Sequence, residues 1–152
     1  MEFEAYLTFL QKLGDCFAQL TAVEQQKLQA VKDGSLARLN DCIRQEQASA
    51  LTLRGMEQQR TQWLTRLGLA DGKLRSLPAQ CLPDLAPRAR QVVERVLEQY
   101  QVLESAREAS RSLLECQLHR IEGAMARQGI GPEADDPAPP AASGRTLTDF
   151  RA

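Results

Sequence analysis

A seven-residue repeat of apolar side chains, broken by one short turn signal, constrains the fold of this chain more than any other feature. Side chains at alternating spacings of three and four residues lie on one face of an α-helix, as in a coiled-coil seam. The sequence therefore predicts two long helices, each with one apolar face. The repeat comprises Phe3, Tyr6, Leu10, Leu13, Phe17, Leu20 and Val31 before the turn, and Leu36, Leu39, Ile43, Leu53, Leu64 and Leu67 after it.

The turn signal is Asp33-Gly34-Ser35. Gly34 permits the positive φ that a reversal needs, and Asp33 or Ser35 can accept an N-cap hydrogen bond from the second helix. Long helices joined by so short a loop must lie antiparallel. We therefore predict a helical hairpin with helices over about residues 2–32 and 35–67.

Polar residues occupy several seam positions of this hairpin. If it folds at Gly34, position i faces roughly position 67 minus i, which places Glu24 near Arg44 and Tyr6 near Arg60. Polar seam residues cost stability but fix the register, because a shifted register would bury them without partners. We interpret these residues as register-setting contacts and not as an active site.

A proline-rich linker over residues 68–86 follows Gly68, which suits the left-handed end of a helix. We expect its leucines to pack against the end of the hairpin and Asp84 to cap a third helix over about 87–127. The leucines are Leu74, Leu77, Leu82 and Leu85, and the apolar line of the third helix is Val93, Val96, Leu97, Tyr100, Leu103, Leu114, Leu118, Ile121 and Met125.

The remaining residues, 129–152, are rich in proline, alanine and acidic side chains and contain too little apolar surface to stay ordered. The predicted fold class is all-α: a long antiparallel hairpin plus a third long helix in a coiled-coil-like three-helix bundle. We divide the chain into one helical domain over 1–128 and a flexible tail over 129–152.

Charge and hydropathy exclude several classes of partner. The 19 Lys and Arg residues nearly balance the 20 Asp and Glu residues, so there is no basic surplus to attract nucleic acid or an anionic membrane. No apolar run approaches the ~20 residues that a membrane span needs. The segment MEFEAYLTFLQKLGD is acidic where a secretory signal is basic. We expect a cytoplasmic protein with no nucleic-acid partner and no membrane insertion.

The residues with potential for chemistry do not form a recognisable site. Cys16, Cys42, Cys81 and Cys116 show no CxxC spacing, and we expect reduced thiols. Cys116 and His119 share a helical face and can supply half of a zinc site, but no further ligands lie nearby in the sequence. Because nucleotide-binding, hydrolase and di-iron motifs are also absent, we expect no metal, no cofactor and no catalysis.

A family resemblance is carried by Glu24 and Leu28, Asp33 at the turn, Leu36 and Leu39, and the segment RQEQASALTLRGMEQQRTQWLTRLGL. These residues resemble the FlgN family, the flagellar export chaperones for the hook–filament junction proteins. The resemblance covers roughly residues 3–69 well and the third helix weakly.

The resemblance implies a cytoplasmic chaperone of flagellar type III export. Such a protein would bind hook-associated proteins 1:1, prevent their premature assembly and deliver them to the export gate. It also places client binding towards the C-terminus. We therefore expect the client-binding residues to be those on the excess length of the third helix and in the tail: Leu114, Leu118, Ile121, Met125, Leu147 and Phe150.

A structural coiled-coil adaptor or oligomerisation protein without an export role is the alternative, because leucine heptads with polar breaks are common to all such proteins. Client binding distinguishes the two hypotheses. A chaperone should bind one or two secreted proteins 1:1, whereas an adaptor should self-associate strongly.

Overall fold

The computed structural model describes residues 2–69 and 72–129. Its elements are α1 (Glu2–Lys32), α2 (Leu36–Leu67), a short 3₁₀ turn (Leu74–Ser76), α3 (Leu77–Gln80) and α4 (Ala86–Arg127). Within those residues every element is helical, so the all-α prediction is confirmed there. The bounds of the three long helices differ from the predicted ones by one residue at most. Residues 130–152 of the predicted tail lie outside the described residues.

The turn between α1 and α2 uses the predicted local chemistry. Gly34 has φ 66°, in the left-handed region where glycine alone is unstrained. The Ser35 hydroxyl caps α2 by accepting a hydrogen bond from the backbone N–H of Arg38, at 3.4 Å. The carboxylate of Asp33 instead accepts a 2.9 Å hydrogen bond from the guanidinium of Arg38. The reversal is therefore held by one glycine, one cap and one ion pair.

Contacts between α1 and α2 place the two helices antiparallel. The ring of Tyr6, near the start of α1, lies 6.0 Å from that of Trp63, near the end of α2. At the opposite ends, Lys27 Nζ donates a 2.9 Å hydrogen bond to Glu46 Oε2. Tyr6 also meets Arg60 as expected: burial raises the pKa of the tyrosine hydroxyl, and the hydrogen-bonded guanidinium partly offsets that rise.

The expected contact between Glu24 and Arg44 is wrong. Arg44 is exposed, whereas Glu24 is buried with 1% of its surface accessible. The cation beside Glu24 is Lys27, whose Nζ lies 3.3 Å from Glu24 Oε2. Lys27 also reaches Glu46, so a single part-buried ammonium group joins two carboxylates across the α1–α2 contact.

Helix α4 lies parallel to α1 along its length. Four side-chain contacts between them join residues that are 80 to 86 positions apart, and these residues advance together along both helices. The pairs are Thr8 with Arg88 at 3.5 Å, Asp15 with Arg95 at 3.9 Å, Phe17 with Tyr100 at 5.5 Å between rings, and the Glu24 carbonyl with the Ser110 hydroxyl at 3.2 Å.

Helix α1 is the central element of the fold. Both α2 and α4 pack on it, while across the described residues the Cα atoms of α2 and α4 stay more than 8 Å apart. One apolar cluster nevertheless receives side chains from all three helices, with Leu53 from α2 and Leu103 from α4 fully buried. The fully buried large apolar side chains of α1 in this cluster are Tyr6, Leu7, Leu10, Leu13, Phe17 and Leu20.

The linker packs partly as predicted. Leu74 and Leu77 are buried in the main cluster and Leu85 is half-buried, but Leu82 is 58% exposed, so its predicted packing is wrong. Leu82 lies in the segment between the end of α3 and the start of α4.

The ends of the long helices follow known stop and start rules with one exception. Gly68 ends α2 with φ 68°, and its N–H bonds back to the carbonyls of Leu64 and Thr65. Pro87 lies in the first turn of α4 as expected. The expectation that Asp84 caps α4 is wrong, because the N-cap is Leu85 and no side chain caps that end.

Candidate partner-binding surface

The C-terminal part of α4 extends beyond the rest of the fold. α4 has 42 residues and α1 has 31, which correspond to about 63 and 46 Å. Because Ser110 lies beside Glu24, the parallel alignment brings Leu118 level with Lys32 at the end of α1. Every residue from 118 to 129 is exposed. We call residues 118–127 the α4 overhang.

An apolar line runs along this overhang. Leu118, Ile121 and Met125 are 56%, 56% and 38% exposed, and Leu114 is half-buried one turn earlier. Their spacings of four, three and four residues are those of a heptad seam. We call Leu114, Leu118, Ile121 and Met125 the α4 stripe. Beyond the half-buried Leu114, it is an exposed seam without a partner in the described part of the chain.

The α4 stripe continues the face of α4 that packs on α1. Leu114 follows the buried Leu103 by eleven residues, which is close to three helical turns, so both point in nearly the same direction. A helix laid on the stripe would therefore lie where α1 and α2 stop, beyond the turn at Gly34. The arrangement can accept an amphipathic helix in the way that a coiled coil does.

Comparison with known proteins gives one decisive match. The FlgN protein family matches over residues 1–127, which covers all three long helices. The chain belongs to the FlgN family. This match confirms the resemblance noted in the sequence. Comparisons with curated proteins and with solved structures gave no significant match.

FlgN proteins are flagellar export chaperones, and membership gives this chain that general role and the binding of flagellar proteins. The long helices and the exposed stripe of α4 suit a protein that binds other helices. Among the described residues, no helix combines the length and the apolar character needed to cross a membrane.

The predicted client-binding residues of this FlgN protein fall into two groups. Leu114, Leu118, Ile121 and Met125 lie together on one face of α4. Leu147 and Phe150 lie outside the described residues, so their part in the site stays a prediction.

The two edges of the α4 stripe differ in charge, a feature that was not predicted from the sequence. Glu115 and Glu122 follow the seam positions Leu114 and Ile121 and border one edge. Gln117 and Ala124 precede the seam positions Leu118 and Met125 and border the other. The sequence signal for this charge difference is the seven-residue spacing of Glu115 and Glu122. The stripe therefore has an acidic edge, formed by Glu115 and Glu122, and a neutral edge.

The Cys116 and His119 pair lies on the same exposed part of α4. Cys116 is exposed, and His119 has 90% of its side-chain surface accessible with Nδ1 3.7 Å from a carboxylate oxygen of Glu122. Side chains this exposed make few packing contacts that a substitution can remove.

We therefore expect Cys116→Ser and His119→Ala each to change the free energy of unfolding by less than about 0.5 kcal/mol. Zinc should leave the melting temperature of the full chain unchanged, as measured by thermal unfolding with and without the ion. A zinc-dependent rise of several degrees that disappears in Cys116→Ser would contradict this prediction.

Proposed function

We propose that this FlgN protein acts in the cytoplasm as the export chaperone of hook-associated proteins at the hook–filament junction. It binds one client per chaperone, prevents premature assembly of that client and delivers it to the flagellar export gate. In this proposal α1, α2 and α4 work as a coiled-coil-like three-helix bundle. Residues 1–128 form the chaperone domain, and the tail beyond them contributes Leu147 and Phe150 to the client site.

The observation that carries this proposal is the α4 stripe. Three large apolar side chains are exposed in one line on the part of α4 that extends beyond α1 and α2. Coiled-coil pairing with an added helix would bury them, and each fully buried side chain contributes about 1.5–3 kcal/mol. Flagellar axial proteins must not assemble before export. A chaperone that binds a helix of such a client blocks the pairing of that helix with other subunits of the flagellum.

The test is calorimetric titration of the full chain with a purified hook-associated protein of the hook–filament junction. We expect the double variant Ile121→Asp, Met125→Asp to bind at least tenfold more weakly, since it places two charges in the seam; tenfold corresponds to about 1.4 kcal/mol. Circular dichroism must show that the double variant keeps the helicity of the unmodified chain. Light scattering of the unmodified chain at the same concentration checks the alternative of a self-associating adaptor.

A matched control carries Leu36→Asp and Leu51→Asp. These leucines are 69% and 67% exposed on α2, so the same chemical change is made on surface that is at least as accessible. We expect client affinity to stay within about twofold of the unmodified chain. If the α4 variant binds as well as this control, the stripe is not the client site and the hairpin surface becomes the candidate.

A further inference from the structure

The charge pattern beside the α4 stripe determines what kind of helix fits it. In a coiled coil, the residues that flank the seam face the flanking residues of the partner and set partner choice. Glu115 and Glu122 are both exposed and stand seven residues apart, about 10.5 Å along the helix. Within the described residues Glu115 makes no ion pair, while Glu122 has only the exposed His119 at 3.7 Å.

A second copy of this chain is a poor occupant of the stripe. Antiparallel pairing of two stripes brings each acidic edge against the other, so that Glu115 and Glu122 face Glu122 and Glu115 of the second copy. Parallel pairing brings the acidic edge against Gln117 and Ala124, which offer no cation, and the exposed Arg120 on that side of α4 lies further from the seam than either. Like charges across a seam destabilise pairing, and neutral contacts add no attraction.

The tail of the same chain is also disfavoured by charge. Residues 130–152 contain four acidic side chains and two basic ones, so the segment as a whole carries the same sign as the acidic edge. The two basic residues flank Leu147 and Phe150, but Asp149 lies between them and they do not have the seven-residue spacing of Glu115 and Glu122. The four acidic residues are Glu133, Asp135, Asp136 and Asp149, and the two basic ones are Arg145 and Arg151.

We propose that the α4 stripe takes an amphipathic α-helix of another protein that carries Lys or Arg beside its apolar seam at a seven-residue spacing. Two of these cations meet Glu115 and Glu122 while the apolar seam covers Leu118, Ile121 and Met125. This inference rests on the proposed function and adds the chemistry by which the stripe selects its partner. The apolar contact supplies most of the affinity, and the acidic edge supplies the orientation and the discrimination.

The test uses two synthetic peptides, each about three heptads long, with the same leucine seam. One carries lysine at both flanking positions and the other carries glutamate, and like charges keep each peptide from pairing with itself. Binding to the full chain is measured by fluorescence anisotropy at about 0.1 M salt. We expect the lysine peptide to bind roughly tenfold more tightly or better, because two exposed charge pairs change from repulsive to attractive.

Variants separate the acidic edge from the overall charge of the protein. Glu115→Gln with Glu122→Gln should reduce the preference for the lysine peptide to about twofold. Glu94→Gln with Glu98→Gln makes the same change on exposed residues of α4 that lie about 25 Å from the stripe, beyond the Debye length of ~10 Å at 0.1 M salt. This control should keep the preference at that salt concentration.

Each other result overturns the inference in an identifiable way. Equal binding of the two peptides would show that the acidic edge does not select the partner. A preference for the lysine peptide that persists in Glu115→Gln with Glu122→Gln would show the same. If Ile121→Asp with Met125→Asp still weakens client binding as expected in that case, the proposed function stands and only this inference fails. If that variant binds client normally, both fail.

Two further outcomes point to the other occupants. A dimer that Ile121→Asp with Met125→Asp dissociates would show that a second copy covers the stripe. A tenfold gain in peptide affinity in Leu147→Asp with Phe150→Asp would show that the tail covers it. Either result contradicts the proposal.

Discussion

Leu53→Ala is expected to lower the free energy of unfolding by about 2–5 kcal/mol. Leu53 has no accessible surface, and it is the one large apolar side chain of α2 that is fully buried in the described structure. Its loss would leave a cavity between α2 and α1 that rigid neighbouring helices cannot fill. Leu13 is fully buried on α1, so Leu13→Ala should lower the free energy of unfolding by a similar amount. Urea unfolding followed by circular dichroism measures both.

Leu51→Ala is the matched control for this prediction. Leu51 lies two residues earlier on the same helix and is 67% exposed, so the two substitutions share helix propensity and differ in burial. We expect the control to stay within about 0.5 kcal/mol of the unmodified chain. If Leu53→Ala costs no more than Leu51→Ala, the contact of α2 with α1 does not carry the stability of the fold.

Lys27→Met should cost about 3 kcal/mol at neutral pH. Lys27 is the cation beside the buried carboxylate of Glu24, and its side chain is 12% exposed. Methionine keeps most of the side-chain volume but leaves that carboxylate buried beside Glu46 without a positive charge. Removing one partner of a buried pair costs more than the pair itself contributes, because the other charge remains desolvated.

A double variant distinguishes this effect from lost packing. Glu24→Leu combined with Lys27→Met removes both charges and should recover most of the lost stability. Lys32→Met, at an exposed position of α1, should stay within about 0.5 kcal/mol of the unmodified chain. A double variant that is less stable than Lys27→Met alone would show that Glu24 is held by contacts other than this ammonium group.

The local features of the fold were predictable because short-range chemistry determines them. Gly34 provides the positive φ of the turn, Ser35 caps α2, and Gly68 ends it, and each of these roles is visible in a few adjacent residues. The helix bounds follow from the same signals and from the apolar repeat.

Features that depend on packing between helices were harder to predict. The sequence indicated a polar contact for Glu24, but a hairpin register inferred from the turn alone cannot give the stagger of two helices within a few residues. In the structure Glu24 pairs instead with Lys27 on its own helix, and Arg44 is exposed. Leu82 is exposed for a similar reason, since its position depends on the path between α3 and α4.

The candidate site was predictable in part. The excess length of the third helix and the spacing of Leu118, Ile121 and Met125 indicated an apolar line beyond the hairpin, and the structure leaves those side chains exposed. The acidic edge was overlooked because Glu115 and Glu122 are unremarkable as single charges. Their significance depends on knowing which face of α4 lacks a partner.

The parallel alignment of α1 and α4 bears on the order in which the chain folds. Contacts between these helices join residues 80 to 86 positions apart, whereas Lys27 and Glu46 are separated by 19. Contacts between distant residues form later, because a longer loop must close first. At a synthesis rate of roughly 5–20 residues per second, α4 leaves the ribosome about 4–16 seconds after α1. During that interval the face of α1 that will receive α4 is open to other proteins.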